Sequence, residues 1–291
     1  MQLGALLPLG DIGGDPQTVR EFAQTAESIG YDFIEAPDHV LAAREGERTG
    51  AGLFHDPFVL FGYLAGCTTK LGFSTGVLIL PQRQTALVAN QAASLDVLCG
   101  GRFRLGIGVG WNEVEFTGLN ENFHNRGRRS EEQVEVMQAL WREPHVVFKA
   151  RWHTIDDAGI NPRPASGKVP VWFGGHHERT LDRIAKWGDG WTPNAYPPDQ
   201  SALDVFAKLR SLTEAAGRDP AHVGIEVWVS MGTGSEGDWA KEARFWKEAG
   251  ASHLCLTTTF NRRHHQRIAG HTMADQLAAL RRYHKAVAEA L

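Results

Sequence analysis

The residues best placed for acid–base chemistry follow a short apolar run: Glu35-Ala36-Pro37-Asp38-His39. An imidazole titrates near neutral pH, so His39 could hydrogen-bond or protonate a bound group. A carbonyl of its own loop could equally satisfy the ring. A further carboxylate, Glu113, ends the run Gly106-Ile107-Gly108-Val109-Gly110-Trp111-Asn112-Glu113. Glycine at every second position strips side chains from one face of a strand. That leaves room for a planar group, with Trp111 and Asn112 at its edge. In Ser74-Thr75-Gly76-Val77 a glycine interrupts an apolar strand, a mark of a bulge or of close approach by ligand or backbone. Gly174-Gly175-His176-His177 precedes a helical stretch. Amides at such a helix start hold phosphate without basic side chains, although a plain Gly-Gly turn reads the same.

Other chemistries lack their markers. The chain has 13 histidines, but the pairs His176-His177 and His264-His265 are adjacent rather than spaced i, i+4. No HExxH occurs, so no metal site is expected. No GxSxG follows a strand, which removes the usual sign of Ser/His/Asp hydrolysis. Gly232-Thr233-Gly234-Ser235-Glu236-Gly237 fits GxGxxG, yet no acidic residue follows about 20 positions on at a strand end. We read it as a turn, not a dinucleotide fingerprint. The basic run Asn261–Arg267 is a solvated charge cluster or an anion-binding rim.

These groups need a scaffold that gathers them, and the chain supplies a strand–helix rhythm. Strands are expected at Leu3–Leu9, Tyr31–Ala36, Leu71–Leu80, Arg102–Val109, Pro170–Phe173, Gly190–Thr192, Val223–Met231 and Ser252–Thr258. Helices fall between them. Asp15-Pro16 is a helix start, and Val19, Phe22, Ala23, Ala26 and Ile29 recur at helical spacing before Gly30. Alternation of this kind predicts an α/β fold with a parallel sheet, and eight units without a linker predict closure into a TIM (β/α)8 barrel. A doubly wound open sheet gives a similar string. Residues 144–168 break the rhythm with a short hairpin around Val146–Trp152, an insertion before strand five. We read residues 1–291 as one domain, with the insertion or lid region in 112–168. Functional groups of a barrel sit where strands end, as do the candidates above other than Gly76-Val77, which lies within the expected third strand.

Composition narrows the partners. A net charge of −4 over 291 residues gives no reason to expect nucleic acid or an anionic membrane. Cys67, Cys99 and Cys255 are far apart in apolar runs, as in a reduced, cytoplasmic protein. The first residues carry no basic leader and no 18-residue apolar run occurs, so neither a signal peptide nor a membrane span is expected. Phe54, Phe148 and Trp152 suggest an apolar lid over a small-molecule substrate.

The ordered set of motifs resembles the luciferase-like monooxygenase superfamily over nearly the whole chain. It comprises Ala26–Asp32, Asp38-His39, Leu71–Val77, Gln91–Asp96, Gly100-Gly101-Arg102, Gly106–Trp111, Pro170–Gly175 and Gly188–Trp191. The resemblance implies an oxidoreductase with a flavin-type cofactor in the barrel mouth, and a homodimer. The Asp-His pair is similar to that of the subgroup using coenzyme F420, a 5-deazaflavin hydride carrier; FMN with O2 is the alternative. By position, His39 would face the ring and Gly76-Val77 would be a non-prolyl cis peptide behind it. Gly108, Gly110, Trp111 and Asn112 would line the ring, and Gly174, Gly175 and His176 would hold the phosphate. His39 and Glu113 are the candidates for proton delivery. Deazaflavin sugar-phosphate dehydrogenases of this superfamily carry an acidic residue near the end of strand four. Trp111 and Asn112 stand there instead, which argues against a sugar-phosphate substrate.

Overall fold

Alternating strands and helices close here into a ring. The computed structural model describes residues 1–41, 52–232 and 234–291. Eight parallel strands form the barrel: β1 (Gln2–Leu6), β2 (Phe33–Ala36), β3 (Gly72–Thr75), β5 (Phe103–Gly108), β8 (Val171–Gly174), β9 (Gly190–Thr192), β10 (Gly224–Val229) and β11 (His253–Leu256). β1 pairs with both β2 and β11, and β3 pairs with β5, so no edge remains among these eight. The short β4 (Leu78–Ile79) continues the line of β3 and also pairs with β5. β6 (Val146–Lys149) and β7 (Thr154–Ala158) form a separate antiparallel hairpin.

The connecting helices are α1 (Leu9–Ile12), α2 (Pro16–Ile29), α3 (Pro57–Ala65), α4 (Thr85–Leu98), α5 (Glu113–Gly118), α6 (Arg126–Arg142), α7 (Glu178–Trp187), α8 (Gln200–Ala215), α9 (Glu236–Ala249) and α10 (Met273–Val287). Their ends are written in local chemistry. Asp15 caps α2 through the N–H groups of Gln17 and Thr18, and Gly30 ends it at φ +108°. Ser235 with Asp238, and Thr272 with Asp275, form capping boxes for α9 and α10. Gly232-Thr233-Gly234 thus leads into a capped helix start, as a turn would; Thr233 itself lies outside the described residues. No described helix is long and apolar enough to cross a membrane.

Along each strand, alternate residues face the helices or the barrel axis. Outward positions such as Leu3, Ile34, Phe73, Leu105, Val171, Val227 and Leu254 join the large apolar core under the helices. Inward positions build a smaller interior from Leu6, Phe33, Trp228 and Cys255. Glycine and aromatic residues are paired within it. A Cβ on Gly4 would lie 2.2 Å from the Phe33 ring, and one on Gly190 2.3 Å from Trp172.

The structure departs from sequence expectation in places. The first strand ends at Leu6, and Leu9 opens α1 instead. The third strand does not run unbroken from Leu71 to Leu80; it parts at Gly76-Val77 into β3 and β4. The hairpin turns later than expected, its second strand starting at Thr154 rather than within Val146–Trp152. Phe148 packs against the main core and is no lid residue.

Candidate active site

Because the barrel strands are parallel, the ends of β2, β3, β5 and β8 meet at one mouth. The floor beneath it is charged yet buried. Arg104 lies between the rings of Phe33 and Trp172, 4.4 Å from each centroid. Its Nε donates to Ser74 Oγ at 3.1 Å, and Nη2 pairs with Glu226. Glu35, fully buried, accepts from Trp228 Nε1 at 2.9 Å. Burial, then the neighbouring Glu226 charge, pushes the Glu35 carboxyl well above its usual range. Of the two carboxyls beside this guanidinium, Glu226 makes the ion pair with Arg104, and burial disfavours the charged form of Glu35.

Over this floor sits the Gly76–Val77 peptide, which is cis. The glycines around it admit protein, and the expectation that they leave an open slot is corrected here. A Cβ on Gly76 would lie 2.2 Å from the Glu35 carboxyl, and one on Gly106 2.0 Å from the Thr75 carbonyl oxygen. On Gly108 and Gly174 it would lie 2.5 and 2.7 Å from the Val77 methyls. The bare faces of β5 and β8 thus seat Val77 in the barrel. Gly110 differs: its φ is +72°, and a Cβ would press on Ile79 and Phe116.

His39 stands at the end of β2, with 19% of its side chain exposed. Its Nδ1 lies 3.3 Å from both oxygens of Glu115, which is buried. Glu115 is held in turn by the N–H groups of Val40 and Leu41, at 3.0 and 3.3 Å, and by Gln82. Phe54 packs edge-on to the His39 ring at 4.9 Å, and Trp111 at 6.2 Å. Residues 42–51 of the intervening 37–55 loop lie outside the described residues. Asp38 turns the other way. It is buried, accepts from Ile79 N–H at 3.0 Å, and takes a guanidinium hydrogen bond from Arg83 at 2.8 Å. Arg83 also binds Asp56, the cap of α3, at 2.8 Å.

The carboxylate beside His39 is therefore Glu115, not Glu113. Glu113 is 59% exposed and faces His124 at 3.7 Å. Asn112 caps α5, its Oδ1 accepting from Val114 N–H at 3.3 Å, while its Nδ2 is buried without a partner among the described residues. Trp111 is half exposed.

At the end of β8, Gly175 takes φ +103° and His177 caps α7 by accepting from Arg179 N–H at 3.2 Å. Among the described residues, the main-chain N–H groups of Gly175, His176 and His177 make no hydrogen bond. His176 Nε2 lies 3.2 Å from Arg263 Nη2, which brings the basic run after β11 to this side of the mouth. Burial, then that guanidinium, lowers the His176 pKa.

These features fit a planar cofactor with a phosphate: a buried, unpartnered amide donor on Asn112 and three free N–H groups before α7. Among the described residues, the one cluster with metal-ligand spacing is Glu35, Glu226 and Cys255. Arg104 already supplies its positive charge.

Comparison with known proteins identifies the family. The model of the luciferase-like monooxygenase family matches residues 3–290. An uncharacterized protein of Mycobacterium tuberculosis is 33% identical, over 67% of this chain and 71% of its own. The F420-dependent hydroxymycolic acid dehydrogenase of the same organism is 28% identical, over 77% of this chain and 61% of its own. Pyrimidine monooxygenase RutA of Allorhizobium ampelinum is 28% identical, over 75% and 64%. Among solved structures, an F420-dependent secondary alcohol dehydrogenase with an F420–acetone adduct superposes with a TM-score of 0.77 at 22% identity, covering 98% of each chain. Monooxygenase RslO1 from Streptomyces bottropensis gives 0.76 at 16% identity, covering 99% of each. Fold and relatives define a TIM-barrel enzyme of the oxidoreductase kind. The chain belongs to the luciferase-like monooxygenase family.

Proposed function

We propose that this protein transfers hydride between coenzyme F420 and a small carbonyl, alcohol or unsaturated substrate, with His39 as the proton-handling residue. The observation that carries the reading is the His39–Glu115 pair at the mouth. Glu115 fixes Nδ1 as the protonated nitrogen and leaves Nε2 to exchange a proton with the substrate. Such a group suits a reaction that adds or removes hydride and proton together. A deazaflavin held here would supply or accept the hydride. Trp111 and Phe54 flank the imidazole and limit water around it. Asn112 Nδ2 and the N–H groups of residues 175–177 would hold the cofactor's polar edge and phosphate, and Val77 would back it.

An FMN-dependent monooxygenase is the second reading, supported by the similarity to RutA. Parallel titration of the full-length protein with F420 and FMN separates the two. Tight binding of F420 alone, followed by anaerobic turnover that His39→Ala suppresses, is the expected result. Tight binding of FMN alone would overturn the proposal.

A further inference from the structure

We propose that the cleft framed by the starts of α6 and α7 and by the 151–152 turn of the hairpin is a polyanion site. It takes a ligand with two or more carboxylate or phosphate groups. The cleft measures about 790 Å³, within the range of small-molecule sites, roughly 300–1,000 Å³. Its walls carry five guanidiniums, those of Arg126, Arg128, Arg151, Arg179 and Arg183, against one carboxylate, Glu131. The chain as a whole is net negative at −4, so this concentration of positive charge runs against the average.

The five arginines divide by what already holds them. Arg183 is paired with Glu131 at 2.9 Å. Arg126 donates to the carbonyls of Gly110 and Phe123 at 3.2 and 2.8 Å and lies over the Phe123 ring. Both have structural work. Arg151 sits against Trp152, 4.9 Å from its centroid. Arg128 and Arg179 make no side-chain hydrogen bond or ion pair among the described residues. Glu131 is already committed to Arg183, so Arg128, Arg151 and Arg179 face the cleft with no carboxylate of their own. Like charges so gathered repel at short range and are relieved by an anion; guanidiniums match carboxylate and phosphate in pairs. His177 and Thr180 also line the cleft, so the positive end of α7 adds to the same field. Its other limit, Val109, is the neighbour of Gly110 in the active site.

The cleft therefore adjoins the Gly174–His177 stretch, sharing His177 with it. Two sources of polyanion fit. One is the acidic oligoglutamyl tail of the deazaflavin, which rests on the function proposed above; the other is a polyanionic substrate, which does not.

The test compares the wild-type chain with R128A/R179A, a pair of exposed positions outside the machinery described above. Each is titrated at low and high salt with F420 bearing its oligoglutamyl tail, with the same deazaflavin ending at the phosphate, and with inorganic tripolyphosphate. A tail-dependent gain of about tenfold in affinity, weakened by salt and lost in the variant, would establish the site with the tail as occupant. No gain from the tail, but tripolyphosphate binding that the variant loses, would establish it for a substrate. Failure of the phosphate-ended deazaflavin to bind, with tripolyphosphate still bound through these arginines, would remove the cofactor reading and keep the site. Equal binding by wild type and variant of both the tailed cofactor and tripolyphosphate would overturn it.

Discussion

His39 Nδ1 sits at the same distance, 3.3 Å, from both carboxylate oxygens of Glu115, a residue 76 positions further along the chain. A symmetric approach to a carboxylate pinned by two main-chain amides orients the imidazole and dictates its tautomer. In Glu115→Gln the amide keeps one acceptor oxygen and gains an N–H donor, so the preference for Nδ1–H weakens. Nitrogen-15 NMR of labelled histidine should show Nδ1–H in wild type and an increased share of Nε2–H in the variant. Turnover, assayed by the absorbance of the reduced cofactor, should fall about 100-fold, whereas Glu113→Gln should stay within about twofold. Comparable losses in both variants would remove Glu115 from its role.

The seat of Val77 gives a packing prediction. Gly174→Ala places a methyl group against Val77 and should destabilise the protein by about 1–3 kcal/mol. Combining it with Val77→Ala should cost less than the sum of the single changes, because the clash is between those two side chains. Urea denaturation of the four proteins measures the coupling. Gly106→Ala meets main chain rather than methyls, so it should yield little folded protein. Additive losses for Gly174 and Val77 would contradict the contact.

The two carboxyls of the floor should respond oppositely to amidation. Folding raises the Glu35 pKa above its ordinary 4.5. The associated stability is complete below that value and is lost as pH rises toward the folded pKa. Glu35→Gln keeps an acceptor for Trp228 and removes this loss, so its melting temperature should exceed that of wild type at pH 8, with a smaller difference at pH 5. Glu226→Gln withdraws the carboxylate paired with Arg104 and should cost about 3 kcal/mol. Equal behaviour of the two variants would show the charge to be assigned to the wrong residue.

On the acid side, two histidines matter, buried His265 and half-buried His253. Burial, then the Arg104 charge, lowers His253 to about 3; burial, then His264, lowers His265 to about 4. Both are neutral in the folded chain while the unfolded chain protonates near 6.5, so stability is present above 6.5 and drains away as pH falls below it. Each contributes a slope of about 1.4 kcal/mol per pH unit between 6.5 and its folded value, and Glu35 opposes them. His253→Gln should flatten the fall in urea midpoint between pH 6.5 and 5. An unchanged slope would mean that His253 takes up its proton in the folded state.

Much of this architecture was legible in advance. The strand–helix alternation led to the barrel, because buried parallel strands and amphipathic helices leave different spacings of apolar residues. The break between β3 and β4 was not legible as such, since Leu71–Leu80 is apolar on both sides of it. Gly76 hinted at it only as a bulge. His39 stood out through its place after a strand. Glu115 did not, since its partners come from the loop after β2 and from Gln82, and no local spacing announces a contact of that range. Its place three residues after Asn112 looks like a helix-capping signal, yet its oxygens serve Val40, Leu41 and His39 instead. The glycines of β5 and β8 were conspicuous, but sequence could not tell whether a ligand or Val77 filled the space they leave. Only the register between strands decides that.

Arg83 clasps Asp38 with one edge of its guanidinium and Asp56 with another. The entry to residues 39–55 and the exit from them are thereby riveted to one side chain, independently of what lies between. Exchanging positions 42–51 for a segment of different size or polarity would leave both rivets, and the imidazole beside them, where they are.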